Sequence, residues 1–163
     1  MNGYTTTAIL DRANLILASA NVIISFSLFV YVLTHNLRSA LAQAFCALMA
    51  FVSVVYLVDI SLAGVNTPTA ASMWLRAQWI GIAFVPAAYF HFSDALLRTT
   101  GSGSRLRRAW AIASYGSGVI ALGLVLTSDL IVADLGVSEG IFHLLPGPLF
   151  WLFSLYYILT SIG

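Results

Sequence analysis

Long apolar runs, separated by short polar segments, place the strongest limit on how this chain can fold. A hydrocarbon core about 30 Å thick is crossed by about 20 apolar residues in a helix. Backbone groups in lipid need hydrogen-bond partners within their own segment, so runs of this length are predicted to be helices and not open strands. A hydrophobic fraction of 60% with 8% charged residues, and a mean hydropathy of +0.94, lie outside the usual range of water-soluble domains. The sequence therefore predicts an all-α polytopic transmembrane bundle.

Five runs have the length of a membrane span, and together they predict a single transmembrane domain over residues 1–163. The predicted helices cover about residues 13–34, 40–63, 72–97, 110–132 and 142–162. Pro146 and Pro148 would then fall in the first turns of the fifth helix, where proline is tolerated.

Basic residues determine the predicted orientation, because short cytoplasmic loops are enriched in Arg and Lys. Four arginines lie in the segment after the third run, the arginine loop (residues 98–108): Arg98, Arg105, Arg107 and Arg108. Arg38 falls on the same side, whereas the stretch from Asp129 to Glu139 carries acidic residues and no basic one. We therefore expect a multi-pass membrane protein with its amino terminus outside and Gly163 at the cytoplasmic face.

The charge balance and the cysteine content exclude several kinds of site. Seven basic and six acidic residues leave a net charge of +1, so the sequence predicts no nucleic-acid partner. Cys46 is the single cysteine and forms neither an intrachain disulfide nor a cysteine metal site. The expected partners are the lipid bilayer and other transmembrane proteins or a second copy of the chain.

Polar residues inside apolar runs are functional candidates, because they are costly in hydrocarbon. Asp59 near the end of the second helix and Arg76 near the start of the third are expected at similar depth, which predicts an ion pair or a shared hydrogen-bond network. The alternative is that each side chain reaches water separately. Asp94 precedes Arg98 by four residues, the spacing of an ion pair along one helix face.

The third predicted helix also carries a histidine and a proline. His91 follows Ala87 by four residues, a spacing that lets a planar ring approach, so pigment or haem ligation by His91 is an alternative to ordinary packing. No two histidines share a helix at metal-ligand spacing, and no cofactor is required by the sequence. Pro86 removes a backbone hydrogen bond and predicts a hinge. The candidate moving or ligand-lining element is therefore the third helix, with Arg76, Gln78, Pro86, His91 and Asp94, together with Asp59.

One segment resembles a known family. Residues 76–92 read RAQWIGIAFVPAAYFHF, which resembles the third-helix signature of the amino-terminal seven-helix membrane region of bacterial sensor histidine kinases. In that family an arginine and an aromatic–glycine step precede a proline and an aromatic-rich turn. The resemblance implies a multi-pass protein of the bacterial cytoplasmic (inner) membrane, with a sensor input domain that responds to a ligand or a membrane state and passes a shift to a cytoplasmic kinase.

Two departures from that pattern leave the function open. The sequence predicts five helices where the family has seven, and it contains no kinase region, phosphoacceptor helix or ATP-binding motif. The chain is then either a fragment of a longer protein or a shortened relative. We predict a sensor input domain that is not itself an enzyme. The alternative is an accessory structural subunit of a photosynthetic or respiratory membrane complex.

Overall fold

The fold is a bundle of antiparallel helices with one β-hairpin inserted before the last helix. The computed structural model describes residues 2–35, 37–138 and 141–162. In this part of the chain the elements are α1 (Asn2–His35), α2 (Ala40–Leu62), α3 (Pro68–Thr99), α4 (Arg105–Thr127), β1 (Val132–Ser138), β2 (Ile141–Pro146) and α5 (Phe150–Ile162). Helices α1 to α4 are long and apolar enough to cross a membrane. The predicted all-α polytopic bundle is confirmed.

Capping residues in the polar loops determine where the helices begin. The Ser39 hydroxyl accepts a hydrogen bond from the Ala42 amide at 3.1 Å, and α2 begins where predicted. The Ser104 hydroxyl accepts from the Arg107 amide at 3.1 Å, which satisfies an otherwise unpaired donor of the first turn. The prediction began this helix at residue 110, where the apolar run begins. Helix α4 begins several residues earlier because the cap precedes the apolar run.

The prediction of a fifth membrane-length helix over residues 142–162 was wrong. Ile141–Pro146 forms β2, which pairs antiparallel with β1, and Pro146 ends this strand instead of lying in a helix. Helix α4 ends at Thr127, before the predicted residue 132. Helix α5 contains 13 residues and at 1.5 Å per residue is about 20 Å long. This length is short of the hydrocarbon core, so the described residues contain four candidate spans and one shorter apolar helix.

Helix α3 is the central element, since it contacts α2, α4, α5 and β2, whereas α1 packs mainly on α2. Small residues on α3 and α4 allow these close approaches. A Cβ atom at Gly81 would lie 2.7 Å from the Phe51 carbonyl oxygen of α2. A Cβ atom at Gly118 of α4 would lie 2.9 Å from the Ala83 carbonyl oxygen of α3. Both glycines are therefore required for the observed helix spacing.

The base of the hairpin closes an aromatic and aliphatic core. The rings of Trp79 on α3 and Phe153 on α5 lie 4.7 Å apart between centroids. Ile131 and Val132 are buried against this pair together with Val125 of α4. The Gly147 amide donates to the Ile131 carbonyl at 2.8 Å, and the Leu149 amide donates to the Leu130 carbonyl at the same distance. The hairpin therefore fixes the position at which α5 begins.

Candidate functional site

The polar residues predicted on α3 form two clusters at opposite ends of the helix. The first, the hairpin-side cluster, contains Asp59, Arg76, Gln78 and Asp129. The second, the arginine-loop cluster, contains His91, Asp94, Arg98, Arg107 and Tyr115. From Arg76 to Asp94 the helix rises about 27 Å at 1.5 Å per residue. The two clusters are therefore separated by almost the thickness of a hydrocarbon core.

In the hairpin-side cluster, Arg76 joins α3 to the end of α4. Its Nη2 donates to Asp129 Oδ1 at 2.8 Å, and its Nη1 donates to the Val125 carbonyl oxygen. Carbonyls in the last turn of a helix lack partners within the helix and carry partial negative charge. Asp129 is 66% exposed, so the ion pair alone contributes little stability. The bond to the carbonyl is what holds the guanidinium against the end of α4.

The predicted pairing of Asp59 with Arg76 was wrong, because a different α3 residue faces α2. Asp59 Oδ1 accepts from Gln78 Nε2, and the same nitrogen lies 3.3 Å from the Val55 carbonyl oxygen. Residues two positions apart on a helix point about 200° apart around its axis. Arg76 therefore faces α4 when Gln78 faces α2. The two residues predicted to share a network take part in separate contacts.

In the arginine-loop cluster, a buried carboxylate lies between two arginines. Asp94 is 1% exposed, and its Oδ2 accepts from Arg98 Nη2, which confirms the predicted pair four residues apart. Arg107 Nε lies 3.9 Å from Asp94 Oδ1. The Arg107 guanidinium also lies 5.1 Å from the centroid of the Phe90 ring, within the range of a cation–π contact.

Two buried atoms of this cluster have no hydrogen-bond partner among the described residues, Asp94 Oδ1 and Arg107 Nε. Buried polar atoms are almost always hydrogen-bonded, and an exception in a native fold marks a strained or functional position. The arrangement therefore leaves hydrogen-bonding capacity unused where α3 meets α4. From the sequence Arg107 was predicted only as part of the basic loop that indicates orientation, because its pairing depends on the rotation of α4 against α3.

His91 contacts an aromatic residue of α4. Its Nδ1 lies 3.4 Å from the Tyr115 hydroxyl, and the two rings meet edge to face with centroids 5.9 Å apart. Haem or pigment ligation by His91 stays a prediction, since no contact tests it. Within residues 2–35, 37–138 and 141–162, no three His, Cys, Asp or Glu side chains are grouped so as to hold a metal ion.

Tyr156 ties α5 to α3 and α4 next to Pro86. Its hydroxyl oxygen lies 3.1 Å from the carbonyl oxygens of both Ala83 and Ser114, so its single proton is shared between them. Pro86 is fully buried, and α3 continues as a helix through it. The Ala83 carbonyl is also the group that Gly118 approaches. The middle of α3, where a hinge was predicted, is therefore held by two neighbouring helices.

Comparisons with known proteins identify a family. No curated protein and no solved structure matches the chain. A family model described as the N-terminal 7TM region of histidine kinase matches residues 17–163, which include both polar clusters and the hairpin. The resemblance read from residues 76–92 is confirmed. The chain thus belongs to the family of N-terminal 7TM regions of histidine kinases, which are membrane sensor input regions.

Proposed function

We propose that this chain is a non-catalytic input region of a bacterial cytoplasmic membrane and that α3 is the helix that responds to the stimulus. The observation that carries the proposal is the position of α3, which contacts α2, α4, α5 and β2 and carries a polar cluster at each end. A shift of a helix within a packed bundle is a recognised way to transmit a signal.

The hairpin-side cluster is the proposed input end of α3. Arg76 connects α3 to α4 and to Asp129, and Gln78 connects α3 to Asp59 of α2. A stimulus that changes either contact would shift the equilibrium between two positions of α3 relative to its neighbouring helices. A ligand shifts such an equilibrium by as much as its affinities for the two states differ.

The arginine-loop cluster is the proposed output end. Asp94 Oδ1 and Arg107 Nε have no hydrogen-bond partner among the described residues, so a small movement of α3 against α4 would bring new hydrogen bonds within reach. The arginines of this loop favour a cytoplasmic location. The shift would then arrive on the side of the membrane where a kinase acts.

The test measures phosphohistidine in membranes that contain the gene product as the cell makes it. Acid-labile, alkali-stable phosphate transferred from ATP to a kinase region of the same gene product, or to a kinase that co-purifies with it, is the expected result. Arg76→Gln should change the rate about fivefold, because removal of a contact of about 1 kcal/mol shifts an equilibrium by that factor. Pro86→Ala should change the rate by a similar factor, because the alanine amide restores the backbone hydrogen bond that proline cannot donate within α3. Arg105→Gln is the control, since Arg105 is exposed.

Two outcomes would contradict the proposal. One is a rate that Arg76→Gln and Pro86→Ala leave at the wild-type value. The other is the absence of phosphohistidine together with co-purification of cofactor-bearing subunits, which would favour an accessory structural role in a photosynthetic or respiratory complex.

A further inference from the structure

We propose that a cavity at the hairpin end of the bundle binds a small zwitterion of the amino-acid class, which would be the stimulus of the proposed sensor. The cavity has a volume of about 520 Å³, within the range of small-molecule sites. Two oppositely charged side chains line it, Arg12 of α1 and Asp59 of α2. The proposal rests on the proposed sensor function only in naming the ligand as the stimulus.

The cavity lies at the end of the bundle that is remote from the arginine loop. Its wall comes from residues 12–18 of α1, the end of α2, the loop before α3, Leu75 of α3, and Phe142 of β2. A ligand therefore reaches it from the aqueous phase at this surface without crossing the hydrocarbon core. With the orientation that the arginines favour, that phase is outside the cell.

The two charged groups are incompletely paired within the described residues, with Asp59 half-buried and Arg12 exposed at the mouth of the cavity. Arg12 takes part in no ion pair or side-chain hydrogen bond with the described residues. Asp59 Oδ1 accepts from Gln78, and its other carboxylate oxygen has no partner in the described part of the chain. Although both side chains line one cavity, they do not pair with each other. Their unused hydrogen-bonding capacity therefore faces a shared space.

A zwitterion matches this arrangement better than an ion of either sign. A carboxylate would accept hydrogen bonds from the planar guanidinium of Arg12, a geometry suited to two parallel bonds. An ammonium group would donate to the free oxygen of Asp59. A simple anion would be repelled by Asp59, and a simple cation would be repelled by Arg12.

The remaining wall supplies polar and apolar contacts for the rest of such a molecule. Asn14 and Asn66 line the cavity, and their exposed side-chain amides have no hydrogen-bond partner among the described residues. Leu15, Leu75 and Phe142 contribute apolar surface. A ligand with charged ends and an apolar side chain would therefore contact both kinds of surface.

Ligand binding at Asp59 would reach α3 directly. The carboxylate that receives the ammonium group is the one that accepts from Gln78 of α3. An ammonium group on the free oxygen would draw this carboxylate toward the ligand and so change the α2–α3 contact in the hairpin-side cluster. This connection joins the cavity to the helix proposed to respond.

The experiment uses the full chain in lipid nanodiscs and measures binding of leucine, phenylalanine and glutamine by calorimetry. At least one of the three is expected to bind. Its amide, which lacks the carboxylate, and its N-acetyl derivative, which lacks the ammonium group, should each bind at least about tenfold more weakly, the factor for loss of one charged hydrogen bond.

Two variants assign each charge to its partner. Arg12→Gln should weaken binding of the amino acid about tenfold and abolish the preference over the amide. Asp59→Asn should abolish the preference over the N-acetyl derivative. Arg38→Gln is the matched control, because Arg38 is exposed at the other end of the bundle and should leave binding unchanged.

Three results would overturn the proposal: no binding of any of the three amino acids, equal binding of the derivatives, or wild-type affinity in Arg12→Gln. The unfolding temperature of each variant without ligand shows that it is folded. The phosphohistidine assay gives a separate readout. If phosphohistidine forms but no amino acid binds, the zwitterion proposal is wrong and the sensor function stands. If binding depends on Arg12 but no phosphohistidine forms, the kinase input function is wrong and the binding site stands.

Discussion

At the scale of single residues, Asp94 is the charged side chain that is most completely removed from solvent in the described part of the chain, at 1% exposure. Removal of a charge from water costs several kcal/mol unless partners compensate. Arg98 donates to it, and Arg107 lies close on the other side. The carboxylate therefore holds the end of α3, the arginine loop and the start of α4 together.

Replacement of this carboxylate should destabilise the bundle. We expect Asp94→Asn to lower the free energy of unfolding by about 2 kcal/mol, because two arginines lose their anionic partner. Asp134→Asn is the control, since Asp134 is exposed on β1 and its replacement should change the free energy by less than about 0.5 kcal/mol. Unfolding in mixed micelles measures both. Equal effects of the two substitutions would show that Asp94 has no structural role.

The residue-scale predictions from sequence succeeded where the contact is local. Asp94 and Arg98 pair because four residues along one helix bring side chains to the same face. Asp59 and Arg76 belong to different helices, and similar depth does not fix how far each helix is rotated about its axis. Asp129 was missed as the partner of Arg76 for the same reason, although a polar residue directly after the last turn of α4 was a visible signal.

At the scale of elements, the packing of α3 depends on where neighbouring helices carry glycine. Gly118 of α4 lies against the Ala83 carbonyl, whereas a Cβ atom at Gly116 would meet nothing within 4 Å. Two glycines in one helix therefore have different roles. The first is needed for close approach, and the second faces open space.

This difference gives a matched pair of substitutions. Gly118→Ala should lower the free energy of unfolding by about 1–3 kcal/mol, because the added methyl group forces α3 and α4 apart. Gly116→Ala should be neutral or stabilising by up to about 1 kcal/mol, the difference in helix propensity between glycine and alanine. Unfolding in mixed micelles again gives the measurement. A loss of stability in Gly116→Ala as large as that in Gly118→Ala would contradict the assigned α3–α4 contact.

The hairpin was the element that sequence reasoning missed. Residues 130–145 are mostly apolar, and hydropathy alone does not separate a buried strand from the start of a helix. Turn-forming residues were present, since Gly136 and the Ser138–Gly140 segment interrupt the run and Pro146 ends it. Gly136 and the Ser138–Gly140 segment were read as a loop between two spans, and Pro146 was placed in the first turns of the membrane-length helix that was expected to follow.

At the scale of the whole molecule, the four long helices place the arginine loop and the hairpin at opposite ends of the bundle. Helix lengths and the family are established, whereas the side of the membrane that each end faces is a proposal based on the arginines. The proposed direction of signalling, from hairpin to arginine loop, depends on that orientation.

Cysteine labelling tests the orientation in intact cells. Cys46 is buried and is replaced by alanine, and single cysteines are introduced as Ser102→Cys in the arginine loop and Asp134→Cys in the hairpin. A membrane-impermeant maleimide should label the hairpin cysteine in intact cells and the loop cysteine only after permeabilisation. The reverse labelling pattern would show that the bundle has the opposite orientation in the membrane. The proposed input and output ends would then exchange sides.

Trp79 differs from the other three tryptophans of the chain in its surroundings. It is 6% exposed, whereas Trp74, Trp110 and Trp151 are 39%, 61% and 61% exposed on the outer surface of the bundle. Brominated lipids quench indole fluorescence by contact, so the fluorescence of the three outer tryptophans should be quenched in bilayers of such lipids. The fluorescence that remains comes from the junction of α3, α5 and the hairpin base. The fluorescence of Trp79 therefore reports on the contact between the hairpin and α3 without the addition of a label.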